Sequence, residues 1–375
     1  MNKKKILFVA TVDGHIKSFH IPYLKWFKDN GYETHVASNG HSDLEFVDKK
    51  WHVEFERSPF KIKQFTAFRQ LKDILKNNDF ELISCHTPMA GVLTRLAARG
   101  ARKSGTKLLY TAHGFHFFNG ASFVNWLLYF PMEVLLTHFT DSVITINEED
   151  YLRIKKFGSK RCTYFKIPGI GVNSDKFFPV NASIKDNLRK QFGFPQDKFI
   201  LIYAAELSNR KNQRFIIESI QKYRADFEDI LILFAGRGDD EQKLKDLVHE
   251  FSLDDIVNFM GFRTDIDKLF QLSDIGISSS KQEGLPINTL EEMFTGLPVI
   301  VSDERGHREL VVNEVNGYLF EQRDYKSFVS KISKLKSNTK LRLEMGKQAR
   351  LTANRFELRV CLTFMSKIFR KHLNE

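Results

Sequence analysis

The tightest constraint on the fold lies between Ser273 and Val301, SDIGISSSKQEGLPINTLEEMFTGLPVIV. Residues 274–278 read as a short buried strand, 282–286 as a turn, 287–294 as a helix and 298–301 as the next strand. Such a unit belongs to an open parallel sheet. It places the turn and the helix N-terminus at the carboxyl edge of the strands, where backbone N–H groups and the helix dipole attract a phosphate. Glu283 falls in the turn and Glu291 about one helical turn further in, so both can line one crevice. Carboxylates accept hydrogen bonds from sugar hydroxyls, and with phosphate-holding amides beside them they describe a site for a nucleotide sugar. Taken alone, Glu291-Glu292 also fits a solvated helix face.

The alternation of apolar run, turn and helix repeats along the chain. Residues 6–12 open onto Asp13-Gly14-His15, read as a glycine turn ahead of a helix from about 19 to 30. Residues 34–38, 82–86, 107–111 and 141–147 supply further strands, and 107–111 delivers Ala112-His113-Gly114-Phe115-His116 to the same sheet edge. The spacing predicts helices over 61–76 and 90–104. The first of these has apolar residues on one side and lysines among them, which suits either the core or an anionic membrane face. Residues 117–140 are the most apolar stretch, interrupted by Asn119, Asn125, Pro131, Glu133 and His138, so they fall short of a membrane span. They fit a buried helix or one touching lipid.

Pro and Gly density from 165 to 179 marks a connection between domains. A second sheet then begins with 199–204, 230–235 and 257–262. Arg210-Lys211 follows the first of these strands and Gly236-Arg237-Gly238 the second. Two glycines are too few for a dinucleotide fingerprint, because the closing position is Glu241. Asp265-Ile266-Asp267 reads as the start of a helix with Asp265 as capping acid, not as a metal motif.

A formal net charge of +11 favours an anionic partner. No zinc-finger spacing, helix-turn-helix or RNA-binding aromatic motif accompanies it, which argues against nucleic acid. Three scattered cysteines, Cys85, Cys162 and Cys361, fit a reducing compartment rather than a disulfide scaffold. The basic start and the apolar run after it stop at Asp13 without a cleavage site, so a first buried strand and a cytoplasmic chain are the expectation.

Glu283-Gly284-Leu285-Pro286 through Leu290-Glu291 resembles the E-x7-E signature of retaining, family-four-type glycosyltransferases with the GT-B fold, and the text around it resembles bacterial capsule and exopolysaccharide transferases. His113-Gly114 and the pair Arg210-Lys211 match further motifs of that family. The resemblance covers nearly the whole chain and is strongest from 203 to 320. It implies an α/β protein of two Rossmann-like parallel-sheet domains facing across a cleft. The expected domains are 1–178, acceptor-binding, and 179–355, donor-binding, with the last helix, 356–375, packing back on the first.

It also implies transfer of a sugar from a nucleoside diphosphate sugar, UDP-linked by expectation, to a hydroxyl of a lipid-linked oligosaccharide or polysaccharide, with retention. By resemblance His113, Arg210, Lys211 and Glu283 carry the catalytic roles, the cations meeting the leaving diphosphate and His113 the donor sugar. Gly14, Gly236, Gly261, Phe262, Leu285, Pro286, Ile287 and Glu291 are the expected donor-binding set, and His15 and His116 the acceptor-binding set. The family commonly has two glycines where this chain has Gly14-His15, which leaves His15 open as an anion ligand or a structural residue. No cofactor and no metal ion are implied. The three-residue spacing of His113 and His116 brings no third metal ligand into view. Such acceptors are presented at the inner face of the cell membrane, so a peripheral contact there is expected. Two rival readings are a nonhydrolysing UDP-sugar epimerase, which shares the fold and needs no acceptor, and a noncatalytic nucleotide-sugar-binding assembly partner.

Overall fold

Continuous apolar runs, without polar alternation, suit strands buried on both faces of a parallel sheet. The computed structural model describes residues 3–56, 58 and 61–374, and it builds two such sheets. In the first, β1 (Lys5–Val12), β2 (Glu33–Asn39), β3 (Lys49–His52), β4 (Phe80–His86), β5 (Lys107–Ala112), β6 (Ser142–Thr145) and β7 (Thr163–Lys166) run parallel in the order β3-β2-β1-β4-β5-β6-β7. In the second, β8 (Phe199–Ala204), β9 (Ile230–Ala235), β10 (Val257–Gly261), β11 (Ile275–Ser278), β12 (Val299–Ser302) and β13 (Gly317–Phe320) take the order β10-β9-β8-β11-β12-β13. Both orders reverse direction once, between β1 and β4 and between β8 and β11. In an open α/β sheet that reversal is where ligands bind, outside the carboxyl ends of the strands.

The chain divides into a unit of residues 1–171 with 359–375 and a unit of residues 172–358. The division falls between Gly171 and Val172. Each unit has its own core. In the first, Leu7, Val9, Ile83 and Leu108 are fully buried beneath helices, and the helix Leu358–Leu373 lays Phe369 on Phe27, with ring centroids 4.7 Å apart. His372 Nε2 of that helix meets Ser142 Oγ at 2.8 Å. In the second, Leu201, Ile232, Ile277 and Ile300 form the layer below the strand ends. All three cysteines are buried, and all three belong to the first unit. Burial pushes the Cys85 thiol up to about 12 and that of Cys162 to about 11.

Several expectations change on contact with the structure. No glycine turn follows β1: a helix starts at Asp13 itself (Asp13–Phe19), with Gly14 its second residue, and His20 separates it from the helix Ile21–Asp29. Asp13 is held there by Ser38 Oγ at 2.6 Å and Lys50 Nζ at 2.9 Å, ties that no local pattern predicts. The helix expected over 90–104 breaks at Ala98 into Pro88–Ala97 and Arg99–Lys103. Asp265 precedes the helix Ile266–Leu272 but caps nothing, because Arg263 takes its carboxylate at 2.6 and 2.8 Å.

The apolar stretch 117–140 yields the helix Phe123–Leu136, which has one buried and one exposed face. Glu133 and Leu136 are buried, whereas Phe123, Val124, Leu127, Leu128 and Leu135 are more than half exposed. Among the described residues no helix is long and apolar enough to cross a membrane.

Candidate functional site

Two clusters of polar side chains occupy the two reversal points. In the second unit the strand ends are tied together first. Tyr203 of β8 donates to the Lys211 carbonyl at 2.8 Å and pairs with Ser280 Oγ at 2.9 Å, and Ser302 Oγ of β12 donates to the Ser280 carbonyl at 2.6 Å. Gly236 and Gly238 lie so close to the loop after β8 that a Cβ at either would come within 1.9 Å of Ala205 O or 2.1 Å of Leu207 O. These glycines close the sheet edge by packing, which a reading of them as nucleotide contacts alone does not capture. Gly261, at φ +62, accepts from the Gly236 N–H at 2.8 Å, and Phe262 beside it is 69 % exposed.

This scaffold joins residues that the sequence listed in separate roles. Lys211 Nζ sits 2.6 Å from Glu283 Oε1, both side chains buried, and Arg210 Nη1 lies 3.6 Å from Glu283 Oε2. Burial alone raises the Glu283 carboxyl, but Lys211, His307 and Arg210 outweigh it and hold the group below its ordinary range. Arg210 is the more exposed cation of the two. His307 is the residue the sequence reading passed over. It is fully buried, with Nδ1 2.8 Å from Ser302 O, and Gly306 before it packs so tightly on Glu283 that a Cβ would come within 2.8 Å of Glu283 Cβ. Only the run Gly306-His307 hinted at it.

Leu285 and Pro286 are buried, Pro286 occupies the N-cap of the helix Ile287–Phe294, and no side chain caps that helix. Its first N–H groups therefore point toward whatever binds at the strand ends. Glu291, the fifth residue, is half-buried, and burial pushes its carboxyl up to about 7 against a weak opposing pull from Lys176. Glu292 is fully buried with neither carboxyl oxygen hydrogen-bonded among the described residues, and burial raises it further, so it is held as a neutral acid. The solvated-face reading of this pair therefore fails.

In the first unit, β1, β4 and β5 end on histidines. His15 and His20 follow β1, His86 closes β4 and His113 follows β5; their ring centroids lie between 3.8 Å (His20 to His86) and 6.2 Å (His15 to His86). His116 instead stacks on Tyr129 at 4.7 Å. It lines, with Thr11, His15 and Thr87, a cavity of about 330 Å³. Thr87 takes φ +63, costly for a β-branched residue, and its hydroxyl contacts Thr11 Oγ1 at 2.7 Å. His20 and His86 are functional candidates missed from the sequence; they converge only through the parallel pairing of β1 and β4, Val9 facing Cys85. Gly14 lies beside this cluster with open space where a Cβ would project.

Two parallel sheets with matched reversal points, an acid–base-paired loop after β8 and β11, and an uncapped helix between β11 and β12 define a GT-B glycosyltransferase. The chain belongs to that class by sequence as well. Residues 184–352 match the model of glycosyl transferases group 1, and residues 5–147 match that of the glycosyl transferase 4-like family. The chain is similar to EpsD of Bacillus subtilis, 44 % identical over 99 % of this chain and 97 % of that one. It is also similar to the UDP-Gal:alpha-D-GlcNAc-diphosphoundecaprenol alpha-1,3-galactosyltransferase of Escherichia coli, 29 % identical over 77 % of this chain and 74 % of that one. The solved structure of Anabaena Alr3699/HepE in complex with UDP and glucose superposes with a TM-score of 0.81 over 98 % of this chain and all of that one, at 20 % identity, which speaks for the fold.

Proposed function

We propose that the protein transfers a sugar from a UDP-sugar to a hydroxyl of a lipid-linked oligosaccharide or polysaccharide, with retention of anomeric configuration, in the synthesis of a capsule or exopolysaccharide. The observation that carries this reading is the Arg210, Lys211 and Glu283 cluster beside the uncapped helix that bears Glu291. As the glycosidic bond breaks, the leaving diphosphate gains negative charge. Arg210 and the amides near Leu285 and Ile287 stabilise that charge more than they stabilise the ground state. Lys211 acts through Glu283, which it keeps ionised and able to accept from the sugar hydroxyls. With Arg210 and a helix N-terminus to meet it, the diphosphate is read as needing no metal ion in this half. Glu291 accepts from the ribose hydroxyls, and Gly261 and Phe262 border the base. The first unit supplies His113, with His15 and His116 on the acceptor side. UDP and a diphosphoundecaprenol acceptor are the chemistry named for the Escherichia coli relative, and this supports both halves of the reading.

Thermal unfolding with UDP, GDP, ADP and NAD tests the donor half. UDP at about a hundred times its dissociation constant is expected to add roughly 2.7 kcal/mol to the second unit, and the gain should vanish in Glu291→Ala. No response to any nucleotide would remove the assignment. The pH dependence is signed. With its pKa near 7, Glu291 is mostly protonated at pH 6 and mostly ionised at pH 8, and only the ionised form accepts two hydroxyls. UDP affinity should therefore rise roughly tenfold across that interval, beyond any rise seen in Glu291→Gln. Turnover of a UDP-sugar without acceptor would favour the epimerase.

We also propose that the exposed face of the helix Phe123–Leu136 rests on anionic lipid. Five large apolar side chains are exposed on it without a charge among them, and the neighbouring helix Glu148–Phe157 ends in Lys155, Lys156 and a half-exposed Phe157. Flotation with anionic vesicles at low salt is the expected result, lost in Leu127→Glu/Leu128→Glu. Unchanged flotation of the variant would refute the contact.

A further inference from the structure

We propose that His15, His20 and His113 form a binding site for a divalent metal ion of the zinc class, with a fourth coordination position open to the cavity lined by Thr11, Thr87, His116 and Tyr129. One ring nitrogen from each of the three lies within 4.8 Å of the others. Their ring centroids are 4.8 Å (His15 to His113), 5.1 Å (His15 to His20) and 5.9 Å (His20 to His113) apart. Three imidazoles bound tetrahedrally through nitrogens ~2.05 Å from a zinc ion would have centroids about 5 Å apart. His15 stands at that spacing from both of the others, and the His20 to His113 pair would close by about 1 Å. Their planes meet at 81°, 51° and 64°, so the rings do not stack on one another.

The electrostatics of the cluster agree with the geometry. Nε2 of His15 and Nε2 of His20 are buried with no hydrogen-bond partner among the described residues. A buried, unsatisfied ring nitrogen is unfavourable, and a cation removes the deficit at both atoms together. His86 supplies the supporting layer. Its Nδ1 lies 3.4 Å from His113 Nε2, its Nε2 lies 3.1 Å from Ser84 Oγ, and its ring packs against His20 at 3.8 Å and Phe8 at 5.7 Å. An outer partner of this kind fixes the tautomer and direction of a ligating histidine.

Among the described residues no carboxylate joins the three imidazoles, so the bound ion would keep its full double charge and attract an oxygen ligand at the open position. The cavity admits a hydroxyl or a phosphate oxygen of the acceptor. That last step rests on the acceptor half of the function proposed above; metal binding itself does not. The metal belongs to the first unit alone: it replaces the direct donor-sugar contact that the resemblance gives His113, and leaves the Arg210, Lys211 and Glu283 cluster of the second unit unchanged.

The test uses the whole chain, stripped with a chelator and titrated with Zn²⁺ alone against a chromophoric competitor, with Co²⁺ as a spectroscopic substitute. One equivalent is expected, with the visible absorption of four-coordinate cobalt. His20→Asn and His15→Asn should each weaken zinc by at least ~100-fold, and His86→Asn by about 10–100-fold. His41 and His52 stack at 4.3 Å on the surface and are the obvious adventitious site. His52→Asn should leave the tight equivalent intact. Zinc binding that is lost in His52→Asn, or that keeps its affinity in His20→Asn, would overturn the proposal, as would the absence of any tight equivalent. Stabilisation by UDP is recorded for every variant. A variant that still responds to UDP has a folded second unit, and a wild type that binds zinc but not UDP separates failure of the nucleotide reading from failure of this one.

Discussion

Lys211→Met is expected to destabilise the second unit by about 3–5 kcal/mol, the cost of leaving one partner of a buried ion pair without its counter-charge. The partner is Glu283, 2.6 Å away and buried, with Arg210 at 3.6 Å too exposed to take over. The double variant Lys211→Met/Glu283→Gln should recover much of the loss, because no uncompensated charge then remains. Activity should not recover with it. If Arg210 and the helix amides carry the leaving group while Glu283 orients the sugar, the double variant stays at least ~100-fold down in kcat. Urea unfolding of the two variants beside a turnover assay checks both statements. A Lys211→Met protein of wild-type stability would mean that water reaches Glu283, and would undo the argument that Lys211 acts through it.

The first unit contains the counterpart. Arg95 is fully buried, donates to both oxygens of Glu133 at 2.7 and 3.1 Å, and lies 3.9 Å above the ring of Tyr110. Arg95→Met should cost a further case of about 3–5 kcal/mol, here in the unit that holds the histidine cluster, and Glu133→Gln somewhat less, since the amide still accepts one of the two bonds. The check is chemical denaturation of each variant. A loss below about 1 kcal/mol would place this pair among exposed salt bridges and contradict its burial. Neither variant should alter UDP-dependent stabilisation, because the Arg95 and Glu133 side chains lie in the other unit.

How far the sequence carried the reading depends on the range of the forces involved. The helix Ile287–Phe294 and the strands Phe199–Ala204 and Ile230–Ala235 were readable residue for residue, because an apolar run with turn residues at its ends is a local signal. The edge strands Lys49–His52 and Thr163–Lys166 were not, since a strand with a solvent side carries no continuous apolar run. Glu283, Arg210 and Lys211 were named from motifs, but that Lys211 and Glu283 neutralise each other follows only from β8 lying next to β11. Glu133 read as an interruption of an apolar segment, and its meaning came from Arg95, 38 positions away. His20 and His86 were silent for the same reason, each an ordinary histidine until the sheet is assembled. The turn expected at Gly14 failed because Asp13 is fixed by Ser38 and Lys50, contacts made across the sheet edge.

Cys85, Cys162 and Cys361 sit at 0, 6 and 0 % exposure, and no cysteine lies in residues 172–358. The chain therefore carries an intrinsic clock for one half of itself. A thiol reagent added in excess can modify these sulfurs only through opening of the unit formed by 1–171 and 359–375, while the other half opens unmarked. Labelling kinetics read against total fluorescence would then assign each unfolding step to its half without any introduced probe. Arg95→Met should speed the labelling and Lys211→Met should leave it alone, so the same three sulfur atoms time the protein's partial unfolding.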